Sequence, residues 1–349
     1  MGCRGDGMSE PAWPEWGGEQ DTYYPWHVWT SPVGAHHAGY LLDTVIGPSL
    51  AEPGTQQVYE ILRCESCIAI HATPLPSQNV LASYYKTAFY QQDKPDYLGR
   101  TERDRQWWEQ CIWGPILQQC QRYLPDVPGE RRDVFDIGTG PAISLDVAAR
   151  LGMGTYGLEP NAHIAALVES RGHTMYCETM ETFTSGNGGS KRWDIITAYE
   201  VLEHQAEPED FLLRCYDMLK SGGILALCVP NDYSPIQCVA RHTLGVAPWW
   251  VAPPQHLYYW TPKTLQLQVR RCGLAILDIR GTFPLDQALL DGDNYLGNDA
   301  LGRIVHGRRM LHELQMVRRG WWPQVEAEYR ANMRQRIGRE IVVIAQKVA

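Results

Sequence analysis

From Asp133 to Ile279 the apolar positions fall into short runs, each closed by a glycine or an acidic residue, with helical periodicity between them. Val134-Phe135-Asp136-Ile137 opens into the turn Gly138-Thr139-Gly140 and a helix-like stretch. Thr155-Tyr156-Gly157-Leu158 is a second strand and ends in Glu159. Trp193 to Ala198 reads as the fourth strand and runs into Glu200-Val201-Leu202-Glu203-His204. An amphipathic helix through Phe211 and Met218-Leu219 stops at Ser221-Gly222-Gly223, and Ile224 to Pro230 is a buried strand closed by Asn231-Asp232. Leu274 to Arg280 supplies a sixth strand and Arg339 to Ala345 the seventh. Strands alternating with helices predict an α/β fold with a Rossmann-like seven-stranded sheet.

The same pattern divides the chain. Residues 1–30, rich in Gly, Pro, Glu and Trp, read as an irregular arm. Residues 31–102 form a small N-terminal module, and residues 103–283 a cofactor-binding core that a helical stretch from Arg103 to Leu124 leads into. Residues 284–337 are an insertion before the last strand, helical near Arg308 to Arg318 and Gln324 to Arg336. Residues 338–349 then return as that strand.

A glycine turn at one strand end with a carboxylate at the next holds an adenosine-containing ligand. Ile143 stands where a dinucleotide fingerprint needs Gly or Ala, and Asp136 is poorly suited to a pyrophosphate. An amine with a sulfonium suits that acid better, which points to S-adenosylmethionine. Asp136 is then the contact for the methionine end, and Glu159 accepts from the ribose hydroxyls.

Together these motifs resemble the class I S-adenosylmethionine-dependent methyltransferases. The resemblance covers about Asp133 to Ile279 and rests on D-x-G-x-G, the acidic strand end, E-x-x-E-H and L-K-x-G-G-x-L…P-N, with Ala142 where many members carry a third glycine. It implies cofactor contacts at Asp136, Gly138, Thr139, Gly140, Glu159 and Pro160. By position, Thr179, Met180 and Glu181 flank the adenine, and Tyr199 walls the cofactor.

Catalysis is expected just past the fourth strand. Glu200, Glu203 and His204 share one face if a helix starts there, and His256 follows in Pro253-Pro254-Gln255-His256. Two readings stay open. His204 or His256 is a general base with Glu203 fixing its tautomer, or Glu200, Glu203, His204 and His256 bind Mg²⁺ or a similar divalent ion. Quinone-biosynthesis and small-RNA 2′-O-methyltransferases share the E-x-x-E-H…H layout and use an ion, whereas many sugar-directed relatives keep E-H as a base.

Cys64-x2-Cys67 with His71 is most of a tetrahedral zinc site, and His37 in the pair His36-His37 completes a Cys2His2 set; two ordinary thiols in a turn is the alternative. The segment from Tyr59 to Tyr85 resembles the zinc-binding N-terminal module of sugar methyltransferases, without the cysteine pair that normally precedes it.

Composition narrows the partners. The net charge of −9 without a basic run argues against extended nucleic-acid contact. The absence of an apolar run of about 18 residues argues against a membrane span. Cysteines set singly in apolar segments and a polar N-terminus point to the cytoplasm. Thirteen tryptophans and 18 tyrosines against 5 phenylalanines suit a hydroxylated ligand. Trp249-Trp250, Tyr258-Tyr259-Trp260 and Tyr233 are expected near the site. Asp291 to Tyr295 is a candidate loop for hydroxyls, and His306, Arg308 and Arg309 are candidates for a phosphate. The whole layout is similar to bacterial methyltransferases associated with surface polysaccharides. That implies a sugar, nucleotide-linked sugar or glycan acceptor, with an RNA 2′-O-methyltransferase and a non-enzymatic binding scaffold as alternatives. The sequence carries no signal of oligomeric state.

Overall fold

The computed structural model describes residues 26–30, 36–125 and 129–348, with the side chains of residues 26–30, 36–37 and 187 outside the description. The expected arm at residues 1–30 thus lies outside the described residues apart from the backbone of Trp26–Thr30.

Seven strands form the core sheet: β5 (Asp133–Ile137), β6 (Gly154–Leu158), β7 (Thr174–Tyr176), β8 (Trp193–Tyr199), β9 (Leu219–Pro230), β11 (Leu274–Gly281) and β12 (Glu340–Lys347). Their order is β11-β12-β9-β8-β5-β6-β7. The strands from β9 to β7 run parallel, and β12 is antiparallel to both β9 and β11. The fold is the expected α/β, Rossmann-like sheet. Its central strands are near-continuous apolar runs because helices cover both faces. Side chains alternate accordingly. Val134, Ile195 and Ile224 pack with Ile116, Leu117 and Leu145 on one face, while Phe135, Ile196 and Leu225 pack with Leu212 and Leu265 on the other.

One boundary moves. The helix Pro208–Met218 ends before the predicted stop, and the strand begins at Leu219. Ser221-Gly222-Gly223 becomes a bulge, since the pairing with β8 slips between Trp193 and Ile195. The helical stretch from Arg103 is broken into the pieces Arg105–Trp107, a π-helical Trp108–Trp113 and Gly114–Tyr123.

The N-terminal module is a five-stranded antiparallel sheet in the order β1 (Trp26–Thr30), β2 (His36–Pro48), β3 (Gln56–Cys64), β4 (Ala69–Thr73) and β10 (Tyr258–Tyr259). Its last strand comes from the core half of the chain, so the two parts are interlaced. Its centre holds Tyr59, Ile61, Ile70, Trp250 and Tyr259, with Tyr233 and Trp249 against them. These aromatics, expected at the ligand site, are core instead.

The insertion is helical as expected, at Gln287–Leu290, Asp299–Arg318 and Trp322–Arg334. Buried Arg309 pairs with Glu313 and Glu340 at 3.3 Å each, and Trp107 and Tyr329 donate to Glu313 at 2.7 and 2.6 Å. Arg309 is therefore a structural cation rather than a phosphate ligand. Arg308 pairs with Asp293 at 2.5 Å, and Tyr295 donates to Asp286. The candidate loop is thus tied to its own insertion. Among the described residues, no helix is long and apolar enough to cross a membrane.

Candidate active site

β5 ends at Ile137 and is followed by Gly138, whose φ of +67° is left-handed and where an added Cβ would lie 2.7 Å from Val201 Cγ2. Only glycine meets both conditions. Gly157 on the neighbouring strand sits under the same turn, where a Cβ would come within 2.6 Å of Thr139 Oγ1. Backbone therefore faces a cavity of about 480 Å³ at this point.

Glu159 organises this cofactor end. It is buried and accepts from the Asn161 amide at 3.0 Å, the Gly140 amide at 3.3 Å and the Tyr90 hydroxyl at 3.2 Å. Burial pushes its carboxyl up to about 7 against these donors. Gly138, Gly140, Glu159, Pro160, Thr179, Met180 and Tyr199 all line the cavity. Thr179 also caps the helix Met180–Ser185 in a capping box with Thr182.

Asp136 departs from expectation. It is buried beneath the turn and off the cavity wall, accepting from Thr197 Oγ1 at 2.5 Å and from Ser144. Burial pushes it up to about 6. The strand alternation turns its side chain to the face that carries Ser144 and Thr197, where it braces the turn from beneath. Thr139 does the same, donating to the Asp136 carbonyl at 3.0 Å.

The roof of the cavity was not legible in the sequence as part of the site. A π-helical segment, Tyr84–Asp93, crosses above it and contributes Tyr85, Phe89 and Tyr90, with Lys94 and Tyr97 beyond. Tyr90 reaches Glu159, Asn161 donates to the Lys86 carbonyl at 3.0 Å, and Gln78 donates to Glu181. Gln255 donates to Asp93 at 3.2 Å, tying the roof to the loop that carries His256.

At the other end, β8 does not run into a helix. The Glu200 amide stays in the sheet, donating to the Cys228 carbonyl at 2.8 Å, and Glu200 takes a left-handed φ of +54°. A single 3₁₀ turn, Leu202–His204, follows, and the helix starts only at Pro208. Glu200, Glu203 and His204 therefore do not share a helix face. Glu200 and His204 line the cavity while Glu203 is buried behind them.

His204 Nδ1 donates to the Gln255 carbonyl at 2.5 Å, Nε2 lies 3.9 Å from Glu203 Oε1, and the Glu200 backbone also hydrogen-bonds the ring. The His256 ring stands 5.1 Å away. Burial holds His204 down at about 4 and His256 well below the usual histidine range. Burial, followed by the charge of Glu200, raises Glu203 well above the carboxylate range. Ligand atoms of Glu203, His204 and His256 all lie within 4.8 Å of one another; Glu200 is not in that group. Both Glu203 oxygens and His256 Nδ1 are buried without a hydrogen-bond partner. This orphaned O/N donor set fits a divalent ion.

Cys64, Cys67 and His71 also converge within 4.8 Å. His71 Nδ1 donates to the Ala72 carbonyl at 2.9 Å, which presents Nε2 as the ligating atom, and the Cys67 amide donates to Cys64 Sγ at 3.2 Å. Two thiols and an imidazole fit zinc. The side chain of His37, the expected fourth ligand, lies outside the described residues. Of the insertion's three candidates, His306 lines the cavity, 3.7 Å from Asp104.

The sheet order and the glycine turn define a nucleotide-binding fold of the S-adenosylmethionine type. A methyltransferase domain family matches residues 107–279, and this part of the chain is a class I S-adenosylmethionine-dependent methyltransferase domain. The chain is 30% identical over 165 residues to a ubiquinone biosynthesis O-methyltransferase of Cereibacter sphaeroides, covering 44% of this chain and 65% of that protein. It is 32% identical over 162 residues to one of Nitrobacter winogradskyi, covering 42% and 58%. The chain thus spans just under two thirds of the length of the first of these relatives. A solved S-adenosylmethionine-dependent methyltransferase from Archaeoglobus fulgidus aligns with a TM-score of 0.42 at 18% identity, over 67% of this chain and 94% of that one.

Proposed function

We propose that this protein methylates a hydroxyl group of a small acceptor. One observation carries the reading: His204, with its tautomer fixed by Gln255, stands on the wall of the same cavity whose far end is the glycine turn and Glu159. Bound S-adenosylmethionine supplies an electrophilic methyl group. Glu159 would hold its ribose, and the turn at Gly138 and Gly140 lets its chain approach the backbone. Held neutral by burial, His204 Nε2 can take the acceptor proton as the oxygen attacks.

The relatives' names support an aromatic hydroxyl as acceptor, and Tyr85, Tyr97 and Trp108 on the cavity wall suit a flat ring. A nucleotide-linked sugar or glycan is the second reading, favoured by the same flat faces, which also stack on sugars. In the alternative to His204 as base, Glu203, His204 and His256 would hold a divalent ion, which would lower the acceptor's pKa. Cys64, Cys67 and His71 would hold a structural zinc in the N-terminal module.

Titration calorimetry with S-adenosylhomocysteine should give one bound molecule per chain, and no binding overturns the proposal. A screen of catechols and nucleotide sugars with methyl-labelled cofactor should label a hydroxyl. Elemental analysis, with the assay repeated after chelation, separates ion-assisted from histidine-only proton removal.

A further inference from the structure

Lys94 caps the C-terminal end of the π-helical roof, its amide donating to the Phe89 carbonyl at 2.8 Å. It is half-buried on the cavity wall and makes no ion pair or side-chain hydrogen bond among the described residues. Its neighbour Asp93 is engaged elsewhere, accepting from Tyr84 and from Gln255. Gln255 bonds both Asp93 and the His204 ring, so Lys94 stands at the acceptor end of the cavity, which it lines together with Glu200, His204 and His256.

A cation on a cavity wall without a counter-ion within ion-pair distance leaves a place that a ligand can fill with one. Tyr85, Phe89 and Tyr97 line the same cavity, so an incoming anion would meet apolar faces beside the charge and be held more strongly than in open solvent. We propose that Lys94 grips an anionic group of the acceptor, so that the methylated molecule carries a carboxylate or a phosphate besides its hydroxyl. This rests on the methyltransferase reading. The two sources of the anion are a phenolic acid and a nucleotide-linked sugar.

The test uses the full chain loaded with S-adenosylhomocysteine and two matched pairs of probes: 3,4-dihydroxybenzoate against 3,4-dihydroxybenzyl alcohol, and uridine diphosphate glucose against methyl glucoside. One anionic probe should bind about tenfold tighter than its neutral partner, and which one does so identifies the source. The preference should vanish in Lys94→Met and largely persist in Lys94→Arg, with S-adenosylhomocysteine affinity unchanged in both. A wild-type preference near one for both pairs, a preference that survives Lys94→Met, or no binding of any probe overturns the inference. The underlying reading falls only if S-adenosylhomocysteine itself fails to bind.

Discussion

The two ends of the cavity are built by different means. The cofactor end comes from consecutive strand ends, and its shape is set by backbone: left-handed Gly138 and Gly140, and amides aimed at Glu159. The acceptor end is assembled from side chains of distant segments, the roof with Tyr85 and Lys94, the kinked exit of β8 with Glu200 and His204, the loop with His256, and His306 of the insertion. A backbone site tolerates one chemistry, the adenosine ligand. A side-chain site can change its acceptor by changing a few residues while the sheet stays as it is.

The difference is broken most severely at His204. His204→Ala should lower the methyl-transfer rate by about 10²–10⁴-fold, the range for loss of a general base, while S-adenosylhomocysteine affinity stays within about twofold. Single-turnover assays and calorimetry read the two ends separately. A variant that loses both together would show that the ends are not independent.

Acid–base behaviour should separate Glu159 from His204 by sign, with Glu200 and Glu203 of the acceptor end shifted in the same direction as Glu159. Buried Glu159 sits at about 7 in the native protein against an ordinary 4.5. Its contribution to stability is fully present below about 4.5 and is lost as pH rises through about 7. His204 sits at about 4 against an ordinary 6.5, so its contribution is present above about 6.5 and lost as pH falls through about 4. Ligand-free protein in chelator should therefore unfold more easily towards both limbs. Glu159→Gln should flatten the upper limb and His204→Gln the lower, each by on the order of 2 kcal/mol. Denaturant titrations between pH 4 and pH 8 would read this, and a Glu159→Gln variant with an unchanged upper limb would contradict the role of that carboxyl.

The same contrast explains what could be read in the sequence. Asp136, Gly138, Gly140 and Glu159 were visible because a strand ending in a glycine turn is a local pattern. The orientation of Asp136 was not, because the strand pleat decides whether a side chain faces the ligand or the sheet. E-x-x-E-H has helical spacing, yet the Glu200 amide is claimed by the Cys228 carbonyl and the chain kinks before any helix forms. The aromatic count carried no direction. Trp250 and Tyr259 fill the second sheet, whereas Tyr85 and Tyr90 face the cavity from a roof whose π-helical winding leaves no clear period, and Tyr97 joins them from the helix Tyr97–Arg103.

Glycine positions at the cofactor end should resist change in proportion to backbone crowding. Gly138→Ala combines a left-handed φ with a Cβ 2.7 Å from Val201 Cγ2, and should cost about 1–3 kcal/mol of stability. Gly222→Ala also carries a left-handed φ, +74°, but meets nothing within 4 Å, so it should cost less. Thermal unfolding of the pair isolates the contact with Val201, and equal losses would assign the whole effect to φ.

Tyr90 is where the two building methods meet, because a roof side chain reaches the carboxylate of the backbone site at 3.2 Å. Tyr90→Phe keeps the ring, which packs edge-on against Phe89 at 4.9 Å, and removes only the hydroxyl donor. Glu159 then retains the Gly140 and Asn161 amides, so the site should survive with weaker order. Loss of one hydrogen bond to a charged acceptor predicts a fall in S-adenosylhomocysteine affinity of about fivefold, seen mainly as faster dissociation. Tyr97→Phe is the control, since its ring lines the same cavity while its hydroxyl has no hydrogen bond among the described residues; its effect should stay under about twofold. Stopped-flow dissociation of both variants decides the matter. If Tyr90→Phe releases the ligand no faster than Tyr97→Phe, the roof closes the acceptor end alone and the cofactor end is complete without it.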